Sequence, residues 1–280
     1  MGEAPSEDTD VKHYTIAIFH GLGDCFNATV LLRPLKDRES CTIRWVTHRD
    51  YAGIVDNNPH VDEVELFDGD KWACDEHYAA VRAREGTTVL APAPYMTGPR
   101  HIVHPEDTLL GRFASYAKTL GLEVSEPLLY LRDEERRAAN DWLAERCAGD
   151  YVLMEVAYTS NQSFWDDGLT RAVIAKIREA GLTPVIGHLA TFADAEIADL
   201  PYRVVAALYD RAAGFIGVSS GVSCLVHGHE ARKDVPHLEF VRGEHWCTRL
   251  YAKEKKKIVI GNVAVLSEVD QMLRTIKESR

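Results

Sequence analysis

Apolar residues recur along this chain with two spacings, one typical of buried strands and one typical of helices that bury a single face. Short apolar runs rich in β-branched and aromatic residues predict strands, and apolar positions three and four residues apart predict helices. The predicted strands cover residues 14–19, 41–46, 61–67, 89–91, 151–156, 183–186, 202–205, 214–218, 235–241 and 257–259. The predicted helices cover residues 26–35, 51–57, 108–120, 133–146, 169–180, 206–213 and 265–277, with a further helix after residue 223.

This alternation of strands and helices predicts an α/β fold with parallel strands and right-handed crossovers. With 280 residues, the chain is long enough for two such domains. The predicted boundaries are a disordered, acidic leader over residues 1–11, an N-terminal domain over 12–148, a C-terminal domain over 149–264 and a closing helix over 265–280. The junction is placed just before the second half restarts with a strand.

Composition narrows the classes of function. The formal net charge of -11 argues against a protein that holds a nucleic acid polymer by neutralising its phosphates. The apolar runs fall well short of the roughly 20 residues of a transmembrane segment, and the N-terminus lacks the basic and apolar signature of a signal peptide. The six cysteines are scattered without a C-x-x-C pair, which predicts reduced thiols in a cytoplasmic protein. An anionic small molecule remains a suitable ligand, because helix dipoles and a few cations can bind it.

The first candidate site follows the first predicted strand, where His20, Gly21, Leu22, Gly23 and Asp24 form a short loop before a helix. The glycines allow a tight turn, and a helix that begins here aims free backbone N–H groups at whatever lies above the sheet. Asp24 is suited to cap the helix by bonding its first-turn amides. His20 either orients a substrate phosphate or caps the strand.

A second loop of small residues, 219–223, follows a strand in the other half and again leads into a helix. Gly187 and His188 follow another strand, and His188 is a candidate contact to a nucleotide base or ribose because ligands bind at the carboxyl ends of parallel strands. Its alternative is a histidine exposed to solvent. Ser220 does not form a nucleophile elbow, since Val218 stands where the G-x-S-x-G motif requires glycine. Hydrolase chemistry is therefore not expected.

Several of these motifs together resemble a known family. In chain order they are Gly21-Leu22-Gly23-Asp24, residues 29–35, Asn58-Pro59, residues 61–64, a Thr-Ser loop that leads to Trp165, residues 181–187 and residues 216–223. In this order they resemble the heptosyltransferase-type glycosyltransferases, the family nine enzymes that use ADP-heptose. The resemblance extends over residues 14–241.

The resemblance implies a fold and a reaction. The fold is GT-B, in which two Rossmann-like domains with parallel sheets face a central cleft, and the first binds mainly the acceptor and the second mainly the nucleotide-sugar donor. Asp24 matches the family's proposed catalytic base, which takes the proton of an acceptor hydroxyl as that oxygen attacks the anomeric carbon. The positions that match the family's diphosphate-binding loops are Thr159, Ser160, Ser219, Ser220 and Gly221.

The chain departs from the family pattern at three positions. Ser163 stands where heptosyltransferases carry a lysine shortly before the loop tryptophan, and Ser219 and Cys224 stand where they carry aspartate and histidine. A related donor other than ADP-heptose, or a member without activity, fits these losses. Trp165 is expected to pack or to line the nucleotide, because an indole donates one hydrogen bond and cannot act as a base.

The sequence thus predicts an inverting, metal-independent glycosyltransferase that moves a sugar from a nucleotide-diphosphate sugar, ADP-heptose or a related donor, to a hydroxyl acceptor such as a glycan. No cofactor and no metal ligand are predicted, and helix N-termini with hydroxyl or cationic side chains stabilise the leaving diphosphate. The predicted contacts are His20, Gly21 and Gly23 for the acceptor loop, and Thr159, Ser160, Ser163, His188, Ser219, Ser220 and Gly221 for the donor. The alternative is a catalytically degenerate GT-B-like protein that binds a nucleotide sugar or a partner protein. An oxidoreductase is a minor alternative, because no third glycine follows at the dinucleotide spacing.

Overall fold

Two parallel sheets organise the protein in a computed structural model, which describes residues 11–19, 21–70, 75–92, 109–123, 126–156, 164–187, 195–218, 220–228, 235–241, 256–260 and 264–280. The first half contains the strands β1 Lys12–Ile18, β2 Cys41–His48, β3 Glu63–Phe67 and β4 Thr88–Leu90. Its helices are α1 Leu22–Ala28, α2 Leu32–Arg38, α3 Asp75–Arg82 and α4 Leu109–Thr119, with 3-10 helices at Thr29–Leu31 and Arg49–Val55.

The second half repeats the alternation. Its strands are β5 Tyr151–Glu155, β6 Thr183–Ile186, β7 Glu196–Ile197, β8 Gly214–Val218, β9 His237–Val241 and β10 Lys256–Ile260. Its helices are α5 Asp133–Arg146, α6 Asp167–Glu179, α7 Tyr202–Leu208, α8 Gly221–Gly228 and α9 Val265–Glu278, with a 3-10 helix at Tyr209–Arg211.

The order of the strands is Rossmann-like in both sheets. Within the described residues, the first sheet has the order β3-β2-β1-β4 and the second has the order β10-β9-β8-β5-β6-β7, with every neighbouring pair parallel. If the six strands of the second sheet are counted from β5, this is the 3-2-1-4-5-6 order of a dinucleotide-binding fold read from the other edge. The first sheet has the first four strands of the same order. The predicted α/β class with parallel sheets is confirmed.

Each sheet is covered by helices. In the second sheet, α6 and α9 pack on one face, and Lys176 of α6 donates to Asp270 of α9 at 2.7 Å. In the first sheet, α3 packs on one face through Tyr78 and Val81, and the helix α1 meets the other face through Cys25. Strands covered on both faces explain the nearly continuous apolar runs in the sequence.

The predicted helix over 26–35 is three shorter pieces, because Pro34 lacks a backbone N–H and its ring would clash with the carbonyl of Val30 in a continuous α-helix. The 3-10 turn before α2 places Pro34 in a first helical turn, where proline is tolerated. The predicted helix over 51–57 is likewise a 3-10 helix that begins at Arg49 and ends at Val55.

The predicted strand over 202–205 is wrong, because these residues form most of α7. Their β-branched and aromatic side chains favour a strand locally, but tertiary contacts decide otherwise. Arg203 is buried, and its guanidinium donates to Glu135 of α5 at 2.5 and 2.9 Å and to the Tyr130 carbonyl at 2.6 Å. The strand in this part of the chain is instead β7, which comes just before α7.

The predicted strand over 61–67 is confirmed as β3, which forms one edge of the first sheet. The apolar side chains of Val64 and Leu66 are 42% and 40% exposed there. Because β3 has one strand neighbour, its side chains are covered less than those of the central strands.

Contacts within the chain divide it into two compact units, Met1–Ile102 with Phe113–Pro127, and Val103–Arg112 with Leu128–Arg280. The second unit includes α5, which the predicted boundary at 148 assigns to the first domain. Residues 1–10 of the predicted leader lie outside the described residues.

Candidate active site

The order of the strands locates the region where a ligand is expected in each sheet. In open parallel sheets, ligands bind beyond the carboxyl ends of the strands, where the strand order reverses. This reversal falls between β1 and β4 in the first sheet and between β5 and β8 in the second. The predicted loops follow three of these four strands: the loop with Asp24 follows β1, residues 157–163 follow β5, and residues 219–221 follow β8.

Gly21 shapes the loop after β1. It holds the N-cap position of α1 with φ +76°, a backbone conformation that favours glycine, and its carbonyl accepts from the Cys25 N–H at 2.9 Å. A Cβ atom on Gly21 would collide with Oδ2 of Asp24. The half-buried Asp24 carboxylate therefore lies directly against the loop. Asp24 is the third residue of α1 and is not its N-cap.

Cys25 fixes the first turn of α1 to the ends of two strands. Its buried Sγ lies 3.8 Å from the Ile18 carbonyl oxygen and 3.6 Å from Thr47 Oγ1. Burial raises the pKa of the Cys25 thiol far above its ordinary value. Cys25 thus positions the neighbouring Asp24 and is unsuited to act as a nucleophile.

An aromatic cluster, which the sequence analysis missed, supports the same loop. The Phe19 N–H donates to the Tyr78 hydroxyl at 3.4 Å, and their ring centroids are 4.6 Å apart. The Phe67 ring lies 5.3 Å from Phe19 and 3.8 Å from His77. The sequence signal for this cluster is an aromatic residue at the end of each of two predicted strands, Phe19 after the first and Phe67 after the third.

His48, at the end of β2, is held by two hydrogen bonds. Its Nδ1 accepts from the Asp50 N–H at 3.1 Å, which makes Nε2 the ring nitrogen that donates to the Gly69 carbonyl, also at 3.1 Å. These two hydrogen bonds fix the orientation of the His48 ring at the carboxyl end of β2.

In the second unit, two serines form hydrogen bonds at the N-terminus of α8. Ser220 Oγ accepts from the Ser223 N–H at 3.1 Å, and Ser223 Oγ donates to the Val218 carbonyl at 2.6 Å. Gly221, the first helical residue, and Val222 are in the first turn, whose amides have no carbonyl partner within the helix. These amides give α8 the capacity to bind an anionic group.

Two buried glutamates that the sequence analysis also missed flank Gly217 of β8. Glu155 of β5 and Glu239 of β9 are both in register with Gly217, so all three residues face the same side of the sheet. Glu155 is 2% exposed and Glu239 is 1% exposed. Within an apolar strand, neither glutamate gives a sequence signal of burial, because its surroundings depend on the neighbouring strands.

The described fold matches solved glycosyltransferases over almost the whole chain. ADP-heptose LPS heptosyltransferase II of E. coli superposes with a TM-score of 0.68 at 13% identity, covering 95% of this chain and 100% of that one. A glycosyl transferase family 9 protein of Veillonella parvula gives 0.67 at 13% identity, covering 95% of each chain. An iron-containing dodecameric glycosyltransferase from enterotoxigenic E. coli gives 0.61 at 15% identity, covering 96% of this chain and 77% of that one.

The chain has the fold of the family nine glycosyltransferases. No protein-family model matches its sequence, and no curated protein matches it. The three-dimensional fold therefore supports the resemblance that the motifs indicated, at sequence identities of 13% to 15%.

Within this family nine fold, several predicted site residues lie outside the described residues. They are His20, Thr159, Ser160, Ser163, His188 and Ser219. The described members are Gly21, Gly23, Asp24, Ser220 and Gly221, each next to the carboxyl end of β1 or β8. Trp165 is a packing residue: it is 5% exposed, its Nε1–H donates to Thr170 Oγ1 at 2.8 Å, and its ring lies 5.0 Å from Phe240.

One D-x-D spacing occurs in the described residues, at Asp68-Gly69-Asp70, and the sequence analysis did not consider it. Asp68 is engaged by Arg49, whose guanidinium contacts both carboxylate oxygens, one of them at 2.7 Å. In the part of the chain that the structure describes, no group of three or more His, Cys, Asp and Glu side chains is arranged to hold a metal ion. Among the helices of that part, each is too short or too polar to cross a lipid bilayer.

Proposed function

We propose that this protein is an inverting, metal-independent glycosyltransferase that moves a sugar from a nucleotide-diphosphate sugar to a hydroxyl acceptor. The observation that carries the proposal is the position of Asp24. Its carboxylate lies at the carboxyl end of β1, beside the point where the strand order reverses, in a fold shared with glycosyltransferases. The neighbour described as an ADP-heptose enzyme supports ADP-heptose or a related nucleotide sugar as the donor.

In the proposed reaction, Asp24 accepts the proton of the acceptor hydroxyl while that oxygen attacks the anomeric carbon of the donor. The new glycosidic C–O bond forms on the face opposite the leaving group, and the C–O bond to the diphosphate breaks with its electron pair on the phosphate oxygen. A single displacement of this kind inverts the anomeric configuration. The acceptor, a glycan or another hydroxyl compound, is bound mainly by the first unit.

The leaving nucleoside diphosphate needs compensation of its negative charge. The first-turn amides of α8 and the hydroxyl of Ser220 are described groups that suit this role. Thr159, Ser160 and Ser219 complete the proposed diphosphate site, and His188 is the proposed contact to the base or ribose.

The proposal also includes a cytoplasmic location, which is supported by the absence of disulfides among the described Cys25, Cys41, Cys147 and Cys224.

Replacement of the base tests the catalytic role. Asp24→Asn is expected to lower the rate of sugar transfer about 10²- to 10⁴-fold, the usual contribution of a general base, while donor affinity stays close to that of the wild type. The matched control is Asp37→Asn, a carboxylate in α2 that is 66% exposed and pairs with Arg33. Transfer is measured as release of the nucleoside diphosphate, and thermal unfolding confirms that each variant is folded. Wild-type rates in Asp24→Asn would refute the assignment.

A second candidate function is favoured by three residues. Ser163, Ser219 and Cys224 replace the lysine, aspartate and histidine of the family pattern, as expected for a protein that binds a nucleotide sugar without transferring it. A thermal-shift screen against nucleoside diphosphates and nucleotide sugars separates the two functions when it is followed by a transfer assay with each ligand that binds.

Turnover that continues in EDTA supports metal-independent transfer, whereas turnover that requires added magnesium or ferrous ion contradicts it.

A further inference from the structure

Two apolar side chains are exposed side by side on β3, at the edge of the first sheet. Val64 is 42% exposed and Leu66 is 40% exposed, and residues two apart in a strand face the same side of the sheet. Their register partners on β2, Trp45 and Thr47, are fully buried on that face. The apolar face of the first sheet therefore continues from its buried centre to an exposed edge.

The backbone of β3 is open at the same edge. β3 pairs in parallel with β2, and no strand of the described residues lies on its other side. An edge strand of this kind offers a row of backbone N–H and C=O groups to any extended segment that approaches it. Natural edge strands are commonly protected by charged side chains, so the charges on β3 decide whether this edge can accept another strand.

The carboxylates of β3 are neutralised within the first unit. Glu65 accepts two hydrogen bonds from the Arg84 guanidinium, at 2.6 and 2.7 Å, and Glu63 pairs with Arg44 of β2 at 2.8 Å. Both carboxylates face the side of the sheet opposite to Val64. Their charge therefore gives the edge little protection, and it creates no demand for a basic partner.

The order of residues in β3 is complementary to itself. If two copies of β3 run antiparallel about a two-fold axis at Glu65, Val64 of each copy lies directly opposite Leu66 of the other. Two such pairs cover all four exposed apolar side chains, and directly opposite apolar pairs stabilise a sheet. The two Glu65 carboxylates lie opposite each other, but each brings its own Arg84 guanidinium, so opposite charges alternate across the axis.

We propose that the edge strand β3 is a homodimer interface, at which a second copy of this chain adds its own β3 antiparallel to the first. The pairing joins two four-stranded sheets into one continuous sheet, and the contact is isologous, with the same patch on both copies. A strand of five residues gives an interface at the small end of the range for specific complexes. The dimer is therefore weak, with a dissociation constant in the micromolar range.

Sedimentation equilibrium at protein concentrations from about 1 μM to 500 μM measures this association. The wild-type protein is expected to shift from monomer to dimer across the range. Leu66→Lys places a charge in both apolar pairs and is expected to raise the dissociation constant more than about tenfold. Leu266→Lys is the matched control, since Leu266 of α9 is 37% exposed and belongs to the second unit, so the dissociation constant should not change.

Cysteine cross-linking tests the register. Directly opposite residues have Cα atoms about 4.5–5.5 Å apart, within reach of a disulfide, whereas diagonal neighbours at about 7–8 Å are too far apart. A mixture of Val64→Cys and Leu66→Cys proteins is therefore expected to form a disulfide-linked dimer on mild oxidation, and either variant alone is not. The wild-type protein gives the background from the native cysteines.

Three results would each overturn the proposal. The first is a wild-type protein that stays monomeric over the whole concentration range, which would leave the edge to a partner of different sequence. The second is a dimer that Leu66→Lys leaves intact, because that dimer must use another surface. The third is a mixture of the two cysteine variants that cross-links no more than its components do separately. Thermal unfolding checks that each variant is folded, and should Leu66→Lys fail to fold, the cysteine mixture still decides.

Discussion

Gly21 shows how a single residue can control the candidate base. At φ +76° and ψ 111° a residue with a side chain costs about 1–3 kcal/mol of stability, and a Cβ atom would meet the Asp24 carboxylate. Gly21→Ala is therefore expected to lower the free energy of unfolding by roughly 1–3 kcal/mol and to slow sugar transfer, because Asp24 must move. Urea unfolding measures the first effect, and nucleoside diphosphate release measures the second.

Gly86 is a matched control for Gly21. It has a similar φ of +70°, but a Cβ atom there would have no other atom within 4 Å. Gly86→Ala is expected to lose a similar amount of stability and to leave transfer unchanged. If both variants slow transfer to the same extent, the contact between residue 21 and Asp24 is not the cause.

At the scale of elements, the ion pair between α7 and α5 decides whether residues 202–208 are stable as a helix. Arg203 is 6% exposed in its side chain and Glu135 is 15% exposed. Removing one partner of a buried pair leaves the other charge uncompensated, at about 3–5 kcal/mol. Arg203→Met is expected to lower the free energy of unfolding by about 3 kcal/mol, the lower end of that range, because Glu135 keeps some contact with solvent.

The control lies on the same helix α5, where Arg137 and Glu134 form a pair that is 70% and 71% exposed. Arg137→Met should change the unfolding free energy by less than about 1 kcal/mol. Equal losses in Arg203→Met and Arg137→Met, measured by urea unfolding, would contradict the assignment. The double variant with Glu135→Leu should recover part of the loss, because no unpaired charge remains.

The ion pair between Arg203 and Glu135 also makes the stability of the protein depend on pH. Burial raises the pKa of Glu135, but the hydrogen bonds from Arg203 and from the Arg132 N–H outweigh this and hold the pKa below its ordinary value of 4.5. A lowered pKa in the folded state stabilises the protein above pH 4.5, and this contribution is lost as the pH falls through the folded-state value. The difference in stability between the wild type and Arg203→Met should therefore shrink below pH 4.5.

At the scale of the whole molecule, each of the two units has its own switch point, and the proposed function assigns the donor to the second. Bound ADP is therefore expected to slow amide hydrogen exchange in residues 214–228, which contain β8 and α8, because ordered ligand contacts stabilise these elements against local opening. Residues 41–48 of β2 should exchange at the unliganded rate. Protection confined to β2 and its neighbours, measured by mass spectrometry, would assign the nucleotide to the first unit instead.

Local chemistry determined much of this architecture from the sequence. The strand over 214–218, the helix over 133–146 and the glycine turn before α1 are confirmed with nearly the predicted bounds. Apolar runs between turn residues specify strands, and a 14-residue helix with acids first and arginine last carries its own start and stop signals. The family nine resemblance rested on such local motifs, in the order in which they occur.

Only the tertiary structure decided the features that depend on a neighbour. Residues 202–205 have strand propensity, but they form a helix in which Arg203 pairs with Glu135 of α5. The surroundings of buried Glu155 depend on the neighbouring strand β8, whose Gly217 is its partner in register, and this register is not written in any one segment. Local propensity is a property of consecutive residues, whereas the environment of a side chain in a parallel sheet is set by residues far away in the sequence.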